Sequence, residues 1–284
     1  MVNKLCIGTV QFGLIYGINN QSGIPDNATI NQILDFAYDK EISFLDTANV
    51  YGDAQIKIGN LNNERFKIVG KFPAVNSISE LEIQFEKTLS QLKTNSIYGY
   101  LAHNADNLIA NPELWKILQL LKSKEKIKKI GFSLYNPEQL ITLLKLNIVP
   151  NLVQLPYSLL DRKFEPYFEK LKSLGTEIHV RSVFLQGLYF MNPLNLPEKI
   201  QCIKQELLQL HTICKEFKID MSALALNYIL FNANIDKIVM GIDNISQLVK
   251  NYELIKTLKI NSHLINEVNK IDVKEKELLN PSNW

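Results

Sequence analysis

Cysteine is scarce in this chain. Three residues in 284, Cys6, Cys202 and Cys214, lie at spacings that match no metal-ligand motif. An odd, scattered set argues against a disulfide framework and fits a reducing compartment, so a cytoplasmic protein without a metal site is expected. Charge of one sign is lacking too. The 31 basic and 29 acidic side chains leave a net charge of +2, and no basic stripe suggests binding to nucleic acid or a membrane surface. No apolar run approaches the ~20 residues that span a bilayer. The first residues, Met-Val-Asn-Lys-Leu-Cys-Ile-Gly, carry no charged-then-apolar signal. Linkers, low-complexity tracts and fixed-period repeats are absent as well, which points to one domain over residues 1–284. A polar, Lys- and Asn-rich tail from about residue 259 either folds over the rest or hangs loose.

What is present is a hydrophobic content of 46% against 21% charged residues, ample for a large core. Short apolar runs read as strands at Leu5–Thr9, Ile42–Leu45, Phe66–Val69, Ile97–Leu101, Ile127–Phe132, Leu152–Leu155, Glu177–Val183 and Ile235–Met240. Between them apolar residues recur at helical spacing, as in Ile30-Ile33-Leu34-Ala37 and Ile78-Leu81-Phe85-Leu89-Leu92. Asn136-Pro137 suits a capped helix start, Gly175 suits a helix stop, and Ser246–Leu258 suits the helix after the last strand. Eight strand–helix units predict a parallel (β/α)₈ barrel, the TIM-barrel architecture. A doubly wound open sheet shares the alternation; the count of eight and the placement of the chemistry favour the barrel.

That chemistry is a series of ionisable residues at or just past successive strand ends: Asp46 and Tyr51, then Lys71, then His103. Burying an unpaired charge costs several kcal/mol, so such groups seldom gather merely to fill a core. Taken singly, each has an ordinary structural reading: a cap, a half-buried ring, a lysine reaching solvent, a satisfied histidine. Together an acid, an amine, a phenol and an imidazole make a proton-transfer device. A free phenol, with a pKa of about 10, is a weak acid near neutral pH. A neighbouring ammonium favours its ionisation, and a carboxylate holds that ammonium charged. Tyr51, Lys71 and Asp46 match this logic, and His103 completes the group.

Asp46-Thr47-Ala48-Asn49-Val50-Tyr51-Gly52, followed by Lys71 and His103, resembles the catalytic tetrad segment of the aldo-keto reductases. The likeness extends along the chain: Gly8-Thr9-Val10-Gln11-Phe12-Gly13, Gly131-Phe132-Ser133, Val153-Gln154-Leu155 and Gly241-Ile242-Asp243-Asn244 with Gln247 and Asn251 are each similar to family segments. The resemblance implies a barrel reductase that passes hydride from NADPH or NADH to an aldehyde or ketone, with Tyr51 as general acid. It assigns cofactor contacts to Gly8, Thr9, Ser133, Gln154, Arg181, Gln186, Gly241, Asp243, Gln247 and Asn251. Arg181-Ser182-Val183-Phe184-Leu185-Gln186-Gly187 further resembles a bacterial branch whose members are similar to enzymes of surface-sugar pathways.

Three features depart from the family pattern. Arg181 stands where a stacking aromatic is common; it either stacks by its planar guanidinium or forms a salt bridge at the rim. Asp243 stands where many relatives carry a cation for the adenosine 2′-phosphate, and an acid there suits a ribose hydroxyl instead. Ala54-Gln55 replaces a usual Ser-Glu. Aromatic residues near strand ends, Phe12, Tyr16, Phe72, Tyr157, Phe184 and Tyr189, are read as packing first and pocket lining second. Two other functions compete: a Schiff-base aldolase with Lys71 as nucleophile, and a nucleotide-binding regulatory subunit with little turnover. The partner expected in the leading reading is a small carbonyl compound.

Overall fold

The eight expected strands close into a barrel. The computed structural model describes residues 1–18, 20, 22–61, 64–257, 259 and 261–284. Its strands are β1 (Leu5–Gly8), β2 (Phe44–Asp46), β3 (Lys67–Phe72), β4 (Ile97–Ala102), β5 (Ile127–Ser133), β6 (Leu152–Pro156), β7 (Glu177–Arg181) and β8 (Lys237–Gly241). Each pairs in parallel with the next in sequence, and β8 returns to β1 with Gly241 opposite Gly8. Helices fill the crossovers: α1 (Val10–Gly13), α2 (Asn27–Asp39), α3 (Ala54–Leu61), α4 (Ile78–Leu92), α5 (Ala105–Ala110) and α6 (Leu114–Ser123). The second half carries α7 (Pro137–Lys145), α8 (Phe168–Ser173), α9 (Lys204–Phe217), α10 (Met221–Phe231), α11 (Ile245–Thr257) and α12 (Ser262–Asn269).

Local chemistry starts these helices where the sequence suggests. Asp26, Ser77 and Asp220 accept hydrogen bonds from the backbone N–H three residues on, satisfying donors that the helix itself leaves free. Asn136 and Gln139 form a reciprocal capping box at the head of α7, with Pro137 in its first turn. Gly175 takes φ +74° just after α8, the left-handed turn that glycine makes without penalty. The last helix ends at Thr257; its expected terminal residue, Leu258, lies outside the described residues.

Strand bounds move for identifiable reasons. The second strand begins at Phe44 because the Ile42 N–H turns back to the Ala37 carbonyl at the end of α2. Lys71 lies inside β3, with Phe72 after it. The seventh strand stops at Arg181 because Ser182 has φ +60°. The eighth begins at Lys237, two residues late, since the Ile235 N–H closes a turn onto the Asn232 carbonyl.

Two apolar layers result. The larger lies between strands and helices; α10, buried over nearly its whole circumference, runs through it. The smaller fills the barrel itself: Cys6, Phe44, Val69, Leu101, Leu152 and Val239. Side chains two residues further along a strand point the same way. Gly8, Asp46, Lys71, Gln154 and Gly241 therefore stand directly above that plug, with His103 one residue past β4. His179, edge-on to the Phe44 ring, puts Arg181 in the same position on β7. The C-terminal tail folds onto the outside of the barrel. Arg162 donates to the carbonyls of Val268 and Ile271 at the end of α12, and Ile271, Val273 and Leu279 are buried.

Candidate active site

The sharpest feature of the barrel mouth is a charge pair under the surface. Lys71 and Asp46 are 1% and 3% exposed, and Lys71 Nζ lies 2.6 Å from Asp46 Oδ1. Lys71 also donates to the Thr47 carbonyl at 3.2 Å, and Gln154 donates to Asp46 Oδ2 at 2.7 Å. Both carboxylate oxygens are thus engaged, one from the neighbouring strand and one from across the barrel. Taking these charges out of water is tolerable only because each is matched.

Tyr51 sits over this pair. Lys71 Nζ is 5.1 Å from the centre of its ring, and the His103 ring meets it edge-on at 5.7 Å. The loop bearing Tyr51 is clamped from both sides. Asn49 accepts a hydrogen bond from Thr88 and donates to Gln84 on α4, while its backbone N–H reaches the Lys71 carbonyl. On the other flank the chain passes so close to α1 that a Cβ on Gly13 would lie 2.0 Å from the Tyr51 carbonyl. Only glycine fits there, and Tyr51 is placed by that contact.

Electrostatics differ from the sequence expectation in one respect. Burial, and after it the Asp46 carboxylate, push the Tyr51 phenol well above its usual range. Burial outweighs the pull of the Lys71 ammonium beneath the ring, and Tyr51 keeps its proton. His103 moves the opposite way. Burial, then the positive charges of Lys71 and Arg181, lower it to about 3, leaving a neutral imidazole.

From this point a cleft of about 400 Å³ runs across the ends of β1 and β8 to the head of α11. Of the residues singled out in the sequence, it is lined by Gly8, Thr9, Asp46, Tyr51, Gln154, Arg181, Gln186, Gly241, Asp243, Gln247 and Asn251. Lys71 lies beneath it, and His103 is reached through Tyr51. Ser133, opposite Gln154 in the β5–β6 register, is 1% exposed, and its hydroxyl has no partner among the described residues. Gln154 carries a second task, since its amide holds Asp46. Tyr16 and Phe184 line the cleft, whereas Phe12, Phe72, Tyr157 and Tyr189 are packing. Gln55 is buried away from it. Among the described residues Arg181 makes no rim salt bridge: its guanidinium lies 4.5 Å from the centre of the Tyr135 ring.

Sequence reasoning did not single out Gln11, Asn20 and Ser222, which also line the cleft. Gln11 is 8% exposed, and its amide oxygen has no partner among the described residues. Asn20 crosses from the β1 loop to hydrogen-bond Asp243 at 3.3 Å, and Gln247 holds the other carboxylate oxygen at 3.0 Å. Gln11 lies within the Gly8–Gly13 family-like segment, and Ser222 stands two residues after the Asp220 cap, in the first turn of α10. Lys250 faces the same end and is paired with Asp220 at 3.1 Å.

The family model that describes the Aldo/keto reductase family matches residues 4–273, nearly the whole chain. The chain belongs to the aldo/keto reductase family. Membership places it among the oxidoreductases, as the motif series suggested. It is 24% identical over 289 residues to the uncharacterized oxidoreductase YrpG of Bacillus subtilis strain 168, covering 87% of this chain and 85% of that one. Among solved structures it resembles the holo form of the aldo-keto reductase AKR11C1 from Bacillus halodurans, with TM-score 0.75 and 22% identity over 96% and 94% of the two chains. A thermostable aldo-keto reductase, Tm1743, solved with the inhibitor epalrestat, gives TM-score 0.71 and 20% identity over 94% of each chain. Among the described residues no helix is long and apolar enough to cross a membrane, and no cluster of three metal-ligating side chains occurs.

Two predictions follow from the buried groups. Lys71→Met leaves Asp46 buried with one partner fewer and should cost about 3–5 kcal/mol in urea unfolding, while Lys71→Met with Asp46→Asn should recover much of it. A single variant within about 1 kcal/mol of the native protein would contradict the pairing. For His103 the folded imidazole binds a proton only near pH 3, whereas the unfolded one does so near 6.5. Between those values the unfolded chain holds the extra proton, so stability falls as pH drops. His103→Gln should therefore lose less stability than the native protein between about pH 7 and about pH 5; parallel losses would show that His103 is not held neutral.

Proposed function

We propose that this reductase reduces an aldehyde or ketone with NADH or NADPH, Tyr51 protonating the carbonyl oxygen. The observation that carries the reading is a phenol kept protonated above the matched Lys71–Asp46 pair, at the end of a cleft of about 400 Å³. Partnerless buried polar atoms support the cofactor. The Ser133 hydroxyl and the Gln11 amide oxygen await hydrogen-bond partners, which a nicotinamide amide or a ribose offers. Ser222 and Gln247 stand in the first turns of α10 and α11, where helix termini favour phosphate oxygens. Gly8, Thr9, Ser133, Gln154, Arg181, Gln186, Gly241, Asp243, Gln247 and Asn251 are the proposed holding set. The bound cofactor supplies the hydride.

The chain's own residues supply the rest. His103, neutral, donates a hydrogen bond to the carbonyl oxygen and fixes its direction. Tyr51 gives its proton to that oxygen as negative charge develops there. Lys71 then stabilises the phenolate, and Asp46 keeps the ammonium charged and oriented. This order reconciles the raised phenol with its role: the proton leaves only when the alkoxide demands it. The same pairing disfavours Lys71 as a Schiff-base nucleophile, because an ammonium held 2.6 Å from a carboxylate has no free lone pair. We take residues 1–284 as one domain working in the cytoplasm. A sugar-derived carbonyl is the substrate class that the bacterial branch suggests.

Tyr51→Phe should lower kcat for a carbonyl substrate by roughly 10²–10⁴-fold while cofactor affinity stays nearly constant. Near-native turnover by that variant rules out Tyr51 as the acid. At the far end of the cleft, Asp243 is held by Asn20 and Gln247, and Lys250 is occupied by Asp220. A carboxylate about 4 Å from a phosphate is repelled by about 1 kcal/mol even in a water-like medium. NADH should therefore be used within about tenfold of NADPH, a difference under about 1.4 kcal/mol. Asp243→Arg should shift preference toward NADPH. Native preference for NADPH well beyond tenfold would show that Asp243 does not face the 2′ position.

A further inference from the structure

Arg181 is the cleft's unmatched cation. Of the two basic side chains that line the cleft, Lys250 is paired with Asp220, whereas Arg181 has no carboxylate within 4 Å among the described residues. The acids of the cleft are taken elsewhere, Asp46 by Lys71 and Gln154, Asp243 by Asn20 and Gln247. Yet the guanidinium is not loose. One face lies on the Tyr135 ring at 4.5 Å, one N–H reaches the Leu134 carbonyl at 3.0 Å, and another reaches the Ser182 hydroxyl at 3.3 Å. Two of its five N–H donors are thereby used and three are left over.

Its position tells which anion fits. Arg181 acts electrostatically on Tyr51, Tyr16 and His103, lowering the proton affinity of each, so its charge is felt at the reacting end. Lys250 and the heads of α10 and α11 stand at the other end of the cleft, beside Asp243 and Asn251. In the proposed reading the heads of α10 and α11, and not the paired Lys250, take a cofactor's phosphates there. The anion left for Arg181 is one that enters beside the carbonyl. A guanidinium edge matches the two oxygens of a carboxylate in a planar fork.

We propose that the edge of Arg181 binds a carboxylate on the carbonyl substrate, so that the enzyme prefers aldehydo- or keto-acids to neutral carbonyl compounds. The inference rests on the reductase reading and adds the substrate class. Stacking of the free guanidinium face on a nicotinamide ring remains compatible, because face and edge are separate surfaces.

A matched pair of substrates tests it: succinic semialdehyde against butanal, with the native protein, Arg181→Met and Arg181→Lys, each first titrated with NADH and NADPH. The native enzyme should favour the acid in kcat/KM by roughly tenfold to a hundredfold, the range of a charge-assisted hydrogen bond, mainly through KM. In Arg181→Met the ratio should collapse toward one, and Arg181→Lys should keep part of it. A native ratio near one, or a ratio that survives in Arg181→Met, overturns the proposal. So does an Arg181→Met whose chief defect is weakened cofactor binding with the ratio kept, since the guanidinium would then serve the cofactor. If the native protein turns over neither aldehyde, calorimetry decides the anion site independently of the reductase reading. Tighter binding of 4-hydroxybutyrate than of butane-1,4-diol by the native protein, lost in Arg181→Met, supports it; equal binding overturns it.

Discussion

A buried ion pair organises the mouth of this barrel. Lys71 and Asp46 sit on adjacent strands one layer above the apolar plug, and Gln154 reaches across from β6 to complete the carboxylate's partners. Neither charge is tolerable alone at that depth. The pair therefore ties strand register to electrostatics: a slip of one residue in β2 or β3 would turn a charge into the apolar shell between strands and helices. The Tyr51 loop, with its clamps to α4 and α1, then rests on a fixed base.

Function follows from how the neighbours answer that pair. Lys71 does not strip the phenol of its proton in advance, and Tyr51 is held protonated by burial and by Asp46. His103 is kept neutral by burial and by two cations. One donor that keeps its proton and one neutral imidazole suit a reaction that begins with an uncharged carbonyl and ends with an alcohol. Arg181 adds a charge that none of these groups cancels.

Much of this was legible in the sequence, because short apolar runs between stretches of helical spacing mark the eight strands, and ionisable residues stand at their ends. Once Phe44, Val69 and Leu152 are taken as inward, Asp46, Lys71 and Gln154 must be inward as well. Caps such as Asn136 and stops such as Gly175 are equally local. Contacts across the barrel were not legible. Nothing near Gln154 says that its amide would serve Asp46, 108 residues away. Asn20, in the β1 loop, reaches Asp243 only because the barrel closes β8 onto β1. The direction of the Tyr51 shift is set first by its burial, which motif order does not contain.

The most direct test follows the transferred hydrogen. Native protein is incubated with an aldehyde and cofactor carrying deuterium at the reactive nicotinamide C4 position, and the product is analysed by mass. The account predicts an alcohol with one deuterium on the carbinol carbon and no substrate trapped on Lys71 by borohydride. An alcohol without that deuterium, or a borohydride adduct on Lys71, would contradict it.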